Sequence, residues 1–295
     1  GKAYFPATDA DHGRELWVTD GTESGTHRVK DICRGAADSS PYQLTVSGPY
    51  LYFAASGENI GVEIWRTDGS EQGTILLGDI NPAQANSNPY SLIDLGGSLV
   101  FGATSSEYGV ELWGSDGTPA GTRLIKDILR GPSLEPSGNP YRLTRHGSNV
   151  FFHATTLENG VELWRTNGTN EGTALVSDIC KELRPNPPSS PHNLVGVGNT
   201  LYFVARDFDH GNELWRTVDT EARVEMVKDI FQGSAGSDPH HLTAVGPILY
   251  FGADDGTNGN ELWRSDGTEA GTRLVQDYAP TQSNSSPKEL TMYKD

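Results

Sequence analysis

The sequence predicts an all-β fold, a six-bladed β-propeller with four antiparallel strands per blade. Three observations lead there. Glu-Leu-Trp recurs at positions 15–17, 63–65 (with Ile64), 111–113, 162–164, 213–215 and 261–263, and these copies hold every tryptophan of the chain. The intervals between Trp17, Trp65, Trp113, Trp164, Trp215 and Trp263 are 48, 48, 51, 51 and 48 residues, and a period of that size marks a repeat architecture. Each copy sits among four strand-sized segments, and the two chain ends together make up one repeat.

The four segments are plainest in the second copy: "PYQLTVSG", "YLYFAAS", "VEIWRTDGS" and "GTILLGDI". Tyr, Phe, Val, Ile, Leu and Thr fill them, and Gly, Pro, Asn, Asp and Ser break them, which reads as consecutive antiparallel strands. No segment has helical periodicity. A four-stranded sheet cannot bury both faces alone, so neighbouring sheets must cover it, in a capped line or a closed ring. The ends favour the ring. "SPKELTMYKD" at the C-terminus matches only a first strand, and "GKAYFPATDADHGRELWVTDGT" begins at a second strand. From Trp263 through Asp295 to Trp17 is 49 residues, so a C-terminal strand paired with the N-terminal strands would remove the open seam. Residues 1–295 are thus expected to be a single propeller.

The register also assigns the core. Phe5, Phe53, Phe101, Phe152, Phe203 and Phe251 share one position of the second strand, and the six Trp share one of the third. Side chains alternate across a strand, so Glu and Trp lie on one face and Leu on the other. Each aromatic buries about 150–250 Å², which makes packing the expected role of the tryptophans.

The third-strand copies "ELWVTDGTESGT", "EIWRTDGSEQGT", "ELWGSDGTPAGT", "ELWRTNGTNEGT" and "ELWRSDGTEAGT" resemble the ELWxxDGT repeat proteins, mostly secreted or cell-surface proteins of bacteria, along the whole chain. The resemblance implies a propeller in an extracellular setting and carries no catalytic residues. The fifth copy, "ELWRTVDTEARV", has Asp219 and Arg223 in place of the two turn glycines, so its hairpin should differ.

A net charge of −17 disfavours nucleic acid and anionic membrane surfaces as partners. No apolar run is long enough to span a membrane. The start at Gly1, inside a repeat, suggests a processed chain or a segment of something larger. Asn167-Gly-Thr169 and Asn284-Ser-Ser286 are glycosylation sequons if the source is a eukaryotic secretory protein, or else turn composition. Cys33 and Cys180 fill one repeat position in copies one and four. A six-bladed ring places those copies opposite each other, beyond the ~7 Å between Cα atoms that a disulfide needs. They are reduced packing thiols or partners for other chains.

Candidate chemistry lies where the copies differ. "ATDADHGRE" and "ARDFDHGNE" supply Asp9, Asp11 and Glu15, and Asp207, Asp209 and Glu213, alternating carboxylates that suit Ca²⁺. The recurrent Glu of Glu-Leu-Trp and the Asp closing each fourth strand read as structural carboxylates accepting backbone N–H bonds. At the start of the first strands stand Tyr42, Tyr90, Tyr141, His192, His240 and Lys288, each followed by Gln43, Ser91, Arg142, Asn193, His241 or Glu289. These form a candidate ligand-binding rim, with Tyr42, Tyr90, Tyr141, Arg142, His192 and His240 foremost. His240 and His241 point to opposite faces if the strand is regular. Insertions at 129–141 and 180–192 mark the loops that vary most. No nucleophile elbow, phosphate loop or CxxC motif occurs. The expected function is a non-catalytic extracellular structural or adhesive module bound to other chains of a surface assembly. A glycan- or peptide-binding propeller is the alternative, and a Ca²⁺-dependent hydrolase or lyase a third possibility, on fold analogy alone.

Overall fold

The computed structural model describes residues 1–129, 137–180, 188–218, 223–278 and 283–293. These residues are all-β, with antiparallel strands and no helix, so none of their helices is long and apolar enough to cross a membrane. Strands β1 (Ala3–Asp9), β2 (Gly13–Thr19) and β3 (His27–Arg28) form a three-stranded sheet. Five four-stranded meanders follow. The second sheet is β4 (Tyr42–Ser47), β5 (Tyr50–Gly57), β6 (Ile60–Thr67) and β7 (Ile75–Gly78), and the third is β8 (Tyr90–Leu95), β9 (Ser98–Ser105), β10 (Gly109–Ser115) and β11 (Arg123–Lys126). The fourth comprises β12 (Tyr141–His146), β13 (Asn149–Thr156), β14 (Gly160–Thr166) and β15 (Ala174–Ser177). The fifth holds β16 (His192–Val197), β17 (Thr200–Asp207), β18 (Gly211–Val218) and β19 (Arg223–Lys228), and the sixth β20 (His240–Val245), β21 (Ile248–Asp254), β22 (Asn260–Ser265) and β23 (Arg273–Gln276).

One expectation differs. The first sheet has three strands, not four, and residues 283–293 form no strand. The chain also divides into two compact units, Gly1–Val150 with Thr166–Thr173, and Phe151–Arg165 with Ala174–Asp295. Of the variable segments, 130–136, 181–187 and Asp219 lie outside the described residues.

The signature after each Trp builds its own turn. In the second copy Asp68 Oδ1 accepts from Ser70 N at 2.9 Å and Ser70 Oγ at 2.7 Å, and Ser70 Oγ accepts from Gly73 N at 2.9 Å. Thr74 Oγ1 donates to Ser70 O at 2.7 Å and meets Thr67 Oγ1 at 2.7 Å. Gly73 is required because a Cβ there would stand 2.0 Å from Asp68 Oδ1. Copies one, three, four and six repeat this network around Asp20, Asp116, Asn167 and Asp266.

Packing follows the alternation. The Phe and Trp of one sheet are direct cross-strand neighbours, as in Phe53↔Trp65, Phe101↔Trp113 and Phe251↔Trp263. In the first unit Leu16 and Val18 of β2 pack against Phe53, Ala55 and Trp65 of the second sheet. Tyr52, Ile64 and Leu77 pack in turn against Phe101 and Ala103 of the third. In the second unit Tyr202, Leu214 and Val227 meet Phe251, Ala253 and Trp263 in the same way. Within each unit the Leu face of one sheet thus covers the Phe–Trp face of the next, and removing such a phenyl ring from a core costs about 3–5 kcal/mol.

Candidate functional site

The site is built from the Glu of Glu-Leu-Trp outward. All six glutamates are 0 % exposed, and each grips the loop that leads to the next first strand. Glu63 accepts from Ile80 N at 2.9 Å, Ser87 N at 3.1 Å and Ser87 Oγ at 2.7 Å. Glu15, Glu162, Glu213 and Glu261 hold Ser39, Ser189, Ser237 and Ser285 through the same hydroxyl contact. Glu111 holds Gly138 N at 2.8 Å, where the hydroxyl is absent. Burial pushes the carboxyls of Glu111, Glu162 and Glu213 up to about 7, and those of Glu15 and Glu63 up as well.

The loop so held is bent twice. The residue before each loop proline, namely Ser40, Asn88, Asn139, Ser190, Asp238 and Ser286, has φ of 44–48°. Three residues on, Gln43, Ser91, Arg142, Asn193, His241 and Glu289 have φ of 52–56°. This is left-handed backbone that non-Gly residues seldom adopt. The ladder registers the second bend as a bulge: Tyr42 pairs with Ala54 but Thr45 with Tyr52, and likewise Tyr90 with Gly102 but Ile93 with Val100. One extra residue in the first strand re-aims the side chains beside it. His240 and His241 show the effect. Their rings stand 5.2 Å apart, edge to face, so the expectation that they point to opposite faces is corrected by the bulge.

In the first unit β4, β8 and β12 lie side by side. Thr45 Oγ1 donates to Leu92 O at 3.5 Å, Ser47 Oγ to Asp94 Oδ1 at 2.6 Å, and Arg145 pairs with Asp94. Their starts carry a row of three tyrosines. Tyr42 is 39 % and Tyr141 50 % exposed, while Tyr90 lies between them, its ring 6.1 Å from that of Tyr141. Burial, then the nearby Glu111 and Tyr141, raises the Tyr90 phenol, and burial with Glu63 raises that of Tyr42, so both remain neutral donors. Gln43 and Arg142 project beside them, exposed. In the second unit β16 and β20 are neighbours and present imidazoles instead: Nδ1 of His192 and of His240 contacts the carbonyls of Ser190 and Asp238, both at 3.0 Å.

The expected Ca²⁺ ligands do not converge. Glu15 and Glu213 are turned inward to Ser39 and Ser237. Asp9 accepts from His12 N at 2.7 Å and meets His12 Nδ1 at 2.9 Å, and Asp207 meets His210 Nδ1 at 2.8 Å. Asp11 and Asp209 are exposed, and no group of three or more His, Cys, Asp or Glu placed to hold a metal occurs among the described residues. Cys33 and Cys180 are buried, their thiols donating to Ser56 O at 3.4 Å and Arg206 O at 3.1 Å. Burial raises both thiols to about 11. Of the two readings of these cysteines, sulfurs so placed fit that of reduced packing thiols. Asn167 is exposed and serves as the turn residue, its Oδ1 accepting from Thr169 N at 3.1 Å; Asn284, also exposed, accepts from Asn260 N at 2.7 Å.

No family model and no curated protein matches the chain. Among solved structures it is similar to a puromycin-hydrolyzing peptidase of Mycobacterium tuberculosis, with TM-score 0.46 and 13% identity over 95% of this chain and 46% of that one. It is similar also to a prolyl endopeptidase, with TM-score 0.48 and 12% identity over 92% of this chain and 40% of that one. A puromycin hydrolase aligns with TM-score 0.42 and 12% identity over 93% and 45%. The chain spans less than half the length of these proteins. The finding corrects the expectation of a structural or adhesive module, since these solved structures are of peptidases and hydrolases and not of structural or adhesive proteins. At this identity and these TM-scores the likeness transfers no activity to the chain.

Proposed function

We propose that the chain is a peptide-recognition domain whose first-strand rim reads a short polypeptide segment. The observation that carries this is the contrast between backbone and side chain along the rim. The φ of the bulged residue stays within 52–56° through six copies, while its identity runs from Gln43 and Ser91 through Arg142, Asn193 and His241 to Glu289. Strain held in every copy makes a fixed scaffold, and the changing side chains on it supply selectivity. Tyrosine and arginine are among the residues that dominate polypeptide recognition, tyrosine as a large, rigid, amphipathic anchor and arginine through its many donors. Tyr141 with Arg142, exposed at the far end of the row from Tyr42 and Gln43, is where we place the main contact.

We also infer that the six sheets are blades of one six-bladed ring, with residues 286–293 completing the first blade. Ser286 and Glu289 take the same φ pair as the other five copies. Thr243 Oγ1 donates to Leu290 O at 3.4 Å, as Thr45 does to Leu92 O. The turn networks support the resemblance to ELWxxDGT repeat proteins, and that resemblance is what supports an extracellular setting.

The test is selection of a random heptapeptide library on the purified chain, counter-selected on a Tyr141→Ala/Arg142→Ala variant. Peptides should bind the parent at least tenfold more tightly, since each such anchor is worth about 2 kcal/mol or more. Enrichment of the same peptides by both proteins, or of none by the parent, would refute the proposal.

A further inference from the structure

The third repeat departs from its neighbours at one cross-strand pair. In the second sheet Tyr52 lies opposite Arg66, and in the fifth and sixth Tyr202 and Tyr250 lie opposite Arg216 and Arg264. In the third sheet the pair is Val100 and Gly114. One repeat away from Tyr50 stands Ser98. Three large side chains are thus replaced by small ones at one junction, and a cavity of about 350 Å³ opens there, lined among others by Ser98, Val100, Gly114, Arg123, Ile125 and Gly168. A cavity of ~150 Å³ already accepts benzene.

The preceding repeat shows what fits such a space. There the Arg66 guanidinium lies 3.8 Å from the Tyr50 ring centroid and donates to Gly117 O at 2.6 Å and Gly73 O at 3.5 Å. In the third repeat Arg123, reaching in from β11, donates to the corresponding carbonyls, Gly168 O at 3.5 Å and Gly121 O at 3.2 Å. The guanidinium is therefore replaced and the rings are not. The phenols confirm the missing volume. Tyr4, Tyr52 and Tyr202 place their hydroxyl oxygens 2.4, 2.8 and 2.3 Å from where a Cβ on the turn glycines Gly69, Gly117 and Gly267 would stand. At Gly168 the nearest atom is Leu95 Cδ2, at 3.4 Å. The charged groups at the mouth are Arg123 and Asp116, and the Asp116 carboxylate is already engaged by Thr118.

We propose that this cavity binds a planar phenolic ring, stacked on the Arg123 guanidinium as Tyr50 stacks on Arg66, with its hydroxyl at the turn of Gly168. The site is separate from the first-strand rim and stands without it. An apolar floor of Val100 and Ile125 takes the ring, and the polar turn of Asn167 and Thr169 takes the hydroxyl.

The experiment follows 4-fluorophenol by fluorine NMR in the presence of the full chain. Its resonance should broaden and shift, and p-cresol should displace it while cyclohexanol does not. Val100→Tyr rebuilds the ring that the neighbouring repeats carry, and it should abolish the broadening with the fold intact by circular dichroism. Ser98→Tyr, which fills the mouth from the position of Tyr50, should do the same if Val100→Tyr does not fold. Arg123→Leu should weaken binding about fivefold, the worth of one cation–π contact. Displacement by N-acetyl-tyrosinamide as well as p-cresol identifies a tyrosyl side chain as the ligand, and displacement by p-cresol alone a free phenol. No broadening at millimolar ligand, equal displacement by cyclohexanol, or broadening unchanged in both filling variants overturns the proposal.

Discussion

The recurrent glutamate shows how one side chain links fold and site. Its place in Glu-Leu-Trp, and its reading as a buried acceptor of backbone N–H bonds, were legible because six equivalent carboxylates cannot divide acid and base roles among themselves. What it holds was not legible. The serine it grips lies 24 residues away in the copies of Glu15 and Glu63, and 27 in that of Glu162, and no local pattern connects them. The burial has a consequence for pH. Carboxyls of Glu111, Glu162 and Glu213 sit near 7, above the ordinary 4.5, so the folded state binds protons that the unfolded state has released. Their contribution to stability is complete below about 4.5 and is lost as pH rises through 7. The turn carboxyls of Asp20, Asp68, Asp116 and Asp266 are held below 3.8 by their hydroxyl and amide donors. They are exposed and contribute little, and what they add disappears as pH falls below that value. Melting temperature should therefore be highest near pH 4–5 and decline toward pH 7, with a shallower decline in Glu213→Gln. A melting temperature that rises across this interval would contradict the assignment.

The first strands show where sequence reasoning stops. Their position and their variable residues could be read from the repeat alignment, but the bulge could not, since the Gln, Arg and Glu found at that position in three of the copies carry no preference for positive φ. A weak signal existed in the Ser, Asn or Asp that precedes the loop proline in every copy, because such residues tolerate left-handed backbone better than most. That conformation offers a way to separate stability from recognition. Gln43 holds φ of 56° and its side chain is exposed, so Gln43→Gly relieves local strain of about 1–2 kcal/mol and removes a side chain that the core does not use. The variant should melt about 2–4 °C higher, yet lose affinity for peptides selected on the parent. A lower melting temperature would show that the bend is not strained. Unchanged affinity would remove Gln43 from the recognition surface.

The six repeated sheets were legible from periodicity because each repeat must bury what its neighbour exposes, as Leu16 against Phe53 and Leu214 against Phe251 illustrate. The end of that series was not settled by periodicity. Among the described residues the first sheet has three strands and β1 has no strand partner on the side away from β2, which leaves a row of backbone donors and acceptors that would template association if unpaired. Residues 286–293 carry the left-handed pair and the threonine of a first strand, with Thr291 Oγ1 donating to Glu289 O at 3.3 Å as Thr45 Oγ1 does to Gln43 O at 3.2 Å. If that segment completes the first blade, deleting residues 286–295 removes the closing pairing and leaves β1 as an edge. The truncated chain should melt at a lower temperature in a broader transition, and should self-associate at concentrations where the full chain is a monomer by light scattering. Hydrogen exchange should localise the loss to β1 and β2, since their amides depend on the missing strand while those of β9 and β10 do not. A truncated protein with unaltered melting and unaltered exchange in β1 would mean that the sheets are not closed through this segment, and the ring would have to be abandoned in favour of an open array.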